Sequence, residues 1–449
     1  MEQTWMQWLT DVVVRINGWI WGIPMPALIV GTSVYFTWKL KWIQKYCFQS
    51  IILSVKKSHS SGMISNFGSM VIALAAMVGT GNIVGVAAAV STGGPGALFW
   101  MILSAFFAMA VKYAEAVLAV KYREKNEVGE FVGGPMYVLK NALNMKKMAL
   151  IFAAATGLMG FADALIQTNS LVAIYGSVFQ SPAVLTTGIL IGLTGLVILG
   201  GVRKIAAVCK WMVPVMALLY ILSCMAIIVL HIDRLPWAFA CILKSAFTGS
   251  ALVGGAVGIT IREAIRYGIS RGILSNEAGT GSGAIAAAAA QTPNPVRQGL
   301  VSASTVFWDT LVLCMLSGVA VVIAGDWQSG TLFGADLARH AFSSLPYGSY
   351  LLLLSLSLFA FSTLVGWSFY TAKAVQYCLG VDVERKVYVI WLGMMAVGGF
   401  LNPKLVWELA DTAIAIMCIP NLLALWLLRG TVFAETKKYL TGELEASRR

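Results

Sequence analysis

The feature that most constrains this chain is a series of apolar stretches, at 24–40, 98–120, 183–199, 213–230, 301–324 and 351–370. Each has roughly the 20 residues that a helix needs to cross a hydrocarbon layer of about 30 Å. A β-barrel would need alternating segments of about ten residues, whereas these stretches are continuous and rich in Leu, Ala, Gly and Met. The expected fold class is therefore an all-α polytopic membrane protein. Composition agrees, because 58% hydrophobic against 12% charged residues is a ratio that a water-facing surface does not carry.

In a soluble protein a net charge of +12 would suggest nucleic acid, but here the lipid bilayer is the expected partner and the placement of the charges fixes orientation. Basic residues cluster at Lys39, Lys41, Lys45, Lys56 and Lys57, from Lys112 to Lys147, at Arg203, Lys204 and Lys210, at Arg297, at Lys373, Arg385 and Lys386, and from Arg429 to Arg449. Placing these clusters inside gathers 24 of the 32 basic residues there. The loops left outside, such as 326–336, are acidic or neutral. The pattern works with 11 transmembrane helices, the N-terminus outside and the C-terminus inside, in a multi-pass protein of the cytoplasmic cell membrane. Segment 1–22 lacks a basic start and a cleavage site, so it reads as an interfacial amphipathic helix with Trp5, Trp8, Trp19 and Trp21 at headgroup level. The seven Cys residues form no CxxC pair and are expected to be packing residues rather than disulfides or metal ligands.

A shift of 200 residues exposes an internal repeat. Gly79-Thr80-Gly81-Asn82 then falls on Gly279-Thr280-Gly281-Ser282, and positions 79–95 show 8 identities in 17 without a gap. The charge pattern runs the first copy outward and the second inward. Two similar segments of opposite direction make an inverted-topology repeat, the plan of many secondary transporters. The expected architecture has an N-terminal part at 1–61 with an extra helix at 24–44, then five spans at 64–92, 97–122, 147–178, 182–201 and 205–230 within a first repeat, 62–234. An outer-surface helix and turn at 235–261 leads to a second repeat, 262–428, with spans at 262–291, 297–324, 347–378, 386–401 and 404–428. Residues 122–147 form an inner loop and 429–449 a cytoplasmic tail.

Clustered glycines weaken a helix, so the first and sixth core helices are expected to be discontinuous at Gly79 to Gly81 and Gly279 to Gly281. Unwound backbone at membrane depth is tolerated where it is buried or lines a wet cavity, and its freed groups then become ligands. A half-helix N-terminus favours a carboxylate, whereas freed carbonyls suit Na⁺ or an ammonium, so a zwitterion fits at both ends. Isolated Gly85 and Gly254 read instead as close-packing residues. Glu277, an acid at membrane depth, is open between an ion pair with Arg271 or Arg266 and a ligand role. The same shift sets Gln167 opposite Trp367 and Asp163 opposite Thr363. Gln167 offers both donor and acceptor groups, and Trp367 an apolar wall with one N–H. Ser362 and Thr363 either bond their own backbone or supply hard oxygens to Na⁺. Asp163 is open among an ion or proton site, a counter-charge and a satisfied acid.

The runs GTGNIVGVA at 79–87, GGPGA at 93–97, GGPMY at 133–137, SNEAG at 275–279 and FAFSTLVGWS at 359–368 resemble the alanine or glycine:cation symporter family, the sodium:alanine symporter type. The five ordered motifs span nearly the whole chain. The resemblance implies a leucine-transporter-type fold and symport of a small neutral amino acid, alanine or glycine, with Na⁺ as coupling ion and no other cofactor. It implies a substrate surrounded by Thr80, Gly81, Gln167, Leu274, Ser275, Asn276 and Trp367. It further implies a sodium ion between the carbonyls of Ala75, Val78 and Phe359 and the hydroxyls of Ser362 and Thr363, with Asp163, Glu277 and Asn82 as charge or coupling residues. One stretch, FADALI at 161–166, departs from the glycine- and asparagine-containing run usual before the residue matching Gln167. A proton-coupled carrier or one for a different amino acid, such as glutamine, is thus the alternative, with a nutrient receptor that does not transport behind it. A channel is disfavoured because no filter-like sequence appears, and an enzyme because His59, His231 and His340 are scattered without a nucleophile-base constellation.

Overall fold

The computed structural model describes residues 2–56, 62–248, 260–400 and 403–446, with backbone alone at 2–10, 403–406 and 443–446. Nearly all of it is helix. α1 (Glu2–Ile20) leads through a short turn to α2 (Pro24–Lys39), which starts with proline at its first position, where no intrahelical donor is needed. After α3 (Cys47–Val55) come α4 (Asn66–Met77) and α5 (Val84–Gly93), two halves of one span bent by 65°. Ser65 caps α4 by accepting from the Gly68 N–H. α6 (Gly96–Lys121) leads to a small hairpin, β1 (Glu124–Lys125) and β2 (Phe131–Val132), then to α7 (Pro135–Asn141).

α8 (Lys146–Phe179), α9 (Ala183–Ile198) and α10 (Gly201–Leu230) come next, and α11 (Leu235–Thr248) lies between α10 and α12 (Ile261–Asn276) in the chain. Thr260 and Glu263 form a reciprocal capping box at the start of α12. α13 (Ser282–Ala288) follows a break, and α14 (Pro295–Val306) joins α15 (Met315–Ala324) through a π-helical turn, Phe307–Cys314. α16 (Gly334–Phe342), α17 (Gly348–Leu379), α18 (Glu384–Gly398), α19 (Pro403–Leu427) and α20 (Arg429–Ala446) complete the chain.

The chain is thus a polytopic all-α membrane protein. Among the described residues seven helices are long and apolar enough to span, or eight with the bent α4–α5 pair. α9 is apolar but has 16 residues, about 24 Å of helix. α12 carries Arg262, Arg266 and Arg271, which lowers its mean hydropathy. The outer helix expected at 235–261 appears as α11, while 249–259 lie outside the described residues.

Helices approach closely where side chains are missing. A Cβ on Gly366 of α17 would meet the Ala76 backbone at 2.5 Å, so only glycine allows α17 to lie against α4 there. Gly85 does not follow that expectation: nothing lies within 4 Å of its notional Cβ, and it faces the central cavity. Gly254 is outside the described residues.

Two other expectations are corrected. Lys112, counted with the inner basic cluster, is instead buried in the middle of α6. Trp21 does not face the headgroups: its side chain is 7% exposed and donates to the Asp411 carbonyl of α19 at 3.1 Å, whereas Trp19 is 73% exposed. The side chains of Trp5 and Trp8 are outside the description.

Candidate functional site

Both glycine motifs open a helix, in different ways. At the first, Val78 and Gly79 are extended, one tight turn of Thr80–Asn82 follows, and Asn82 Oδ1 accepts from the Gly79 N–H at 2.9 Å. A Cβ on Gly79 would sit 2.7 Å from Thr363 Oγ1, so glycine is required there for contact. At the second, Glu277 (φ 52°), Gly279 (φ 90°) and Gly281 (φ 78°) all have positive φ, a left-handed backbone between α12 and α13. The first break is stretched and the second coiled back.

The second break is held by groups from two neighbouring helices. Lys112 Nζ of α6 donates to the carbonyls of Asn276 and Glu277 at 3.1 and 3.2 Å, where α12 ends and its last carbonyls have no helical partner. One turn later on α6, Glu115 Oε1 accepts from the Gly279 N–H at 2.9 Å and from Asn421 Nδ2 of α19 at 2.7 Å. Asn421 also donates to the Gly279 carbonyl at 2.9 Å.

Glu277 makes neither of the ion pairs considered for it. Its Oε1 accepts from Trp367 Nε1 at 3.0 Å and its Oε2 from Ser282 Oγ at 2.5 Å, while Arg271 lines the cavity near Glu408 and Asp411 of α19.

A cavity of about 530 Å³ lies between the breaks, walled by α5, α8, α12, α17 and α19. Of the expected substrate residues, Thr80, Gly81, Gln167, Leu274, Ser275 and Trp367 line it. Asn276 does not; its Oδ1 instead accepts from the Ala278 N–H at 3.0 Å and so shapes the break from behind. Gln167 ties two walls together, accepting from Thr80 Oγ1 at 3.3 Å and donating to Asp163 Oδ1 at 3.0 Å. Asp163 and Glu277 both face the cavity.

Four of the five expected sodium ligands, Val78, Phe359, Ser362 and Thr363, form a second oxygen cluster beside Gly79. Ser362 Oγ donates to the carbonyls of Val78 (3.1 Å) and Phe359 (2.8 Å), and Thr363 Oγ1 to the same two (3.3 and 3.0 Å). Ala75 is buried on α4, one turn before Val78. Hydroxyls that share two carbonyls have lone pairs free to turn to a small hard cation.

Sequence reasoning missed two centres, the Lys112–Glu115–Asn421 clamp and Asp309. Asp309, in the π-helical turn, is fully buried and accepts from Asn82 Nδ2 (2.6 Å), Ser275 Oγ (2.8 Å) and Thr310 Oγ1 (2.7 Å). It joins the two breaks behind the cavity, and Asn82 serves that junction rather than lining the cavity. Lys112, Glu115 and Asp309 each carried a readable signal, a charge inside an apolar stretch.

The sequence model of the sodium:alanine symporter family matches residues 6–448. The sodium/alanine symporter AgcS of Methanococcus maripaludis is 40% identical over 442 residues, 96% of this chain and 97% of AgcS. The probable sodium/glutamine symporter GlnT of Bacillus subtilis is 34% identical over 445 residues, 97% of this chain and 91% of GlnT. Among solved structures, that of MhsT in complex with L-phenylalanine superposes with a TM-score of 0.62, covering 84% of this chain and 93% of MhsT at 14% identity. The shared fold is of the leucine-transporter type.

Proposed function

This chain belongs to the sodium:alanine symporter family, and from that premise we propose that it imports small neutral amino acids, alanine or glycine, coupled to Na⁺ by alternating access. As a member of that family it is an amino-acid symporter and not an enzyme. The observation that carries the finer reading is that two opened helices meet at one cavity with an oxygen cluster directly beside it. Thr80, Gly81, Gln167, Leu274, Ser275 and Trp367 would surround the amino acid, with Asn276 holding the shape of the second break. The start of α5 favours its carboxylate and the carbonyls of the breaks its ammonium. Sodium would be held by the carbonyls of Ala75, Val78 and Phe359 with Ser362 and Thr363. Because Val78 precedes Gly79 and Thr80, an ion there also fixes the first break, which is the coupling the account requires.

The same reading takes 11 spans in the cell membrane, N-terminus outside and C-terminus inside, with 62–234 and 262–428 as inverted repeats. Its support is the way the two broken helices meet, half against half. The Met63 N–H bonds the Ala289 carbonyl (2.9 Å) and the Gln291 N–H the Ile64 carbonyl (2.7 Å), so α4 begins where α13 ends, and α5 packs along α12. The cavity is lined toward the end where Ala335 at the start of α16 and Trp407 and Glu408 of α19 lie. The charge pattern puts that end outside, so the conformation is outward-facing.

Binding of alanine and glycine to the purified protein, titrated with Na⁺ in a choline background, tests this reading. Binding should require Na⁺, and equal binding without it would remove the sodium part. In Thr363→Ala the Na⁺ concentration for half-maximal binding should rise about tenfold, one interaction of roughly 1.4 kcal/mol. Affinity for alanine at saturating Na⁺ should stay near that of the wild type. An unchanged Na⁺ dependence would take Thr363 out of the ion site.

A further inference from the structure

Asp163 sits one turn before Gln167 on α8, so both side chains lie on one face of that helix. Gln167 reaches the first break, and Asp163 lies deeper, toward the end of α8 that follows α7. Its Oδ1 accepts from Gln167 Nε2 at 3.0 Å, but its Oδ2 has no partner although the residue is only 4% exposed and lines the cavity. The other charged groups facing the cavity do not complete it. Glu277 has both oxygens bonded to Trp367 and Ser282, and Arg271 lines the cavity without bonding Asp163 Oδ2. A buried carboxylate oxygen without a donor is unfavourable until a ligand supplies one.

Resting on the reading of this cavity as an amino-acid site, we propose that Asp163 is a specificity-determining residue that selects substrates whose side chain ends in an N–H donor, an amide or an ammonium, over apolar side chains of the same length. With the substrate backbone held at Thr80, Gly81 and Ser275, a side chain directed along α8 passes Gln167 and ends at Asp163. Alanine and glycine enter without reaching Oδ2 and leave it unbonded. A side chain of three or four heavy atoms with a terminal N–H completes it, whereas a methyl end of that length buries the same oxygen and offers nothing. A site with an unused hydrogen-bonding group discriminates strongly against the solute that lacks the partner. Asp163 also keeps Gln167 turned toward Thr80, because it occupies the amide's donor end.

The test is calorimetric titration of the purified full chain, in sodium buffer, with glutamine as the amide arm, ornithine as the ammonium arm and norvaline as the apolar control. Glutamine or ornithine should bind at least tenfold more tightly than norvaline, and the better arm identifies the donor class. Asp163→Ala should bring that ratio to near one. Asp163→Asn, whose Oδ1 still accepts from Gln167 while its Nδ2 puts a donor where the free acceptor stood, should lose any ornithine preference and keep a glutamine preference only through the substrate's amide carbonyl. Norvaline binding as tightly as both in the wild type, or a preference that survives Asp163→Ala, would overturn the proposal while leaving the transporter reading intact. If no amino acid bound, alanine and glycine included, the site reading would fall and the proposal with it.

Discussion

Lys112→Met is expected to abolish amino-acid uptake and to destabilise the protein by about 3–5 kcal/mol, the range for removing one partner of a buried charge cluster. The lysine lies in an apolar helix, yet it is the group that closes the end of α12 through the Asn276 and Glu277 carbonyls. A cation at that point opposes the negative end of the helix dipole and sits among Glu115 and Glu277, both buried. Methionine fills similar space but leaves the Asn276 carbonyl without its donor, the Glu277 carbonyl with Thr280 alone, and two acids without their nearest positive charge. Ser275, one residue before Asn276, lines the cavity, so a loosened end of α12 moves the binding surface itself. Thermal unfolding of the purified variant and uptake in vesicles read the two effects. A Lys112→Met protein with the wild-type melting temperature and uptake would show that the break stands without the clamp.

The second large effect separates the two glycine motifs. Gly281→Ala places a Cβ 2.4 Å from Pro135 Cγ and 2.8 Å from Asn421 Oδ1, at a φ of 78°. The left-handed conformation alone costs about 1–2 kcal/mol with a side chain, and overpacking against rigid neighbours adds roughly 1–3 kcal/mol. Pro135 opens α7 and Asn421 is tied to Glu115 and Gly279, so neither can withdraw cheaply. Gly281→Ala should therefore fail to give stable protein. Gly81→Ala differs, because nothing lies within 4 Å of its notional Cβ and it borders the cavity. It should fold with a near-normal melting temperature and lose substrate affinity, since the methyl occupies binding space. Equal melting temperatures for the two variants would contradict the unequal roles assigned to the two motifs.

How far the sequence reveals these arrangements depends on the kind of interaction. Helices such as α6, α8, α10 and α17 are legible because the length of a continuous apolar run is a local property, and the bilayer admits few solutions for it. The discontinuities are legible too, because glycine marks weak helix directly. Their shapes are not: identical GTG triplets become a stretched turn in one case and a left-handed coil in the other. What decides between them is distant in sequence, Thr363 against Gly79 and Lys112, Glu115 and Asn421 around Gly279. The oxygen cluster of Val78, Phe359, Ser362 and Thr363 was reached through family motifs rather than through spacing, since backbone carbonyls carry no sequence signature. Asn276 shows the limit of that transfer, because its side chain turns back to the Ala278 N–H instead of facing the cavity. Asp309 shows a different limit. An acid in the middle of 301–324 announces a buried function, but only the π-helical turn brings it to Asn82 and Ser275 together.

The central claim is that an amino acid bound between the two breaks is coupled to a cation held beside Gly79. Uptake of labelled alanine or glycine into proteoliposomes, with an inward Na⁺ gradient and no pH gradient, measures this most directly. The account predicts accumulation above equilibrium that collapses when the Na⁺ gradient is dissipated and is strongly reduced by Thr363→Ala at low Na⁺. Accumulation driven by a pH gradient alone, or binding with no gradient-driven accumulation of any amino acid, would contradict it.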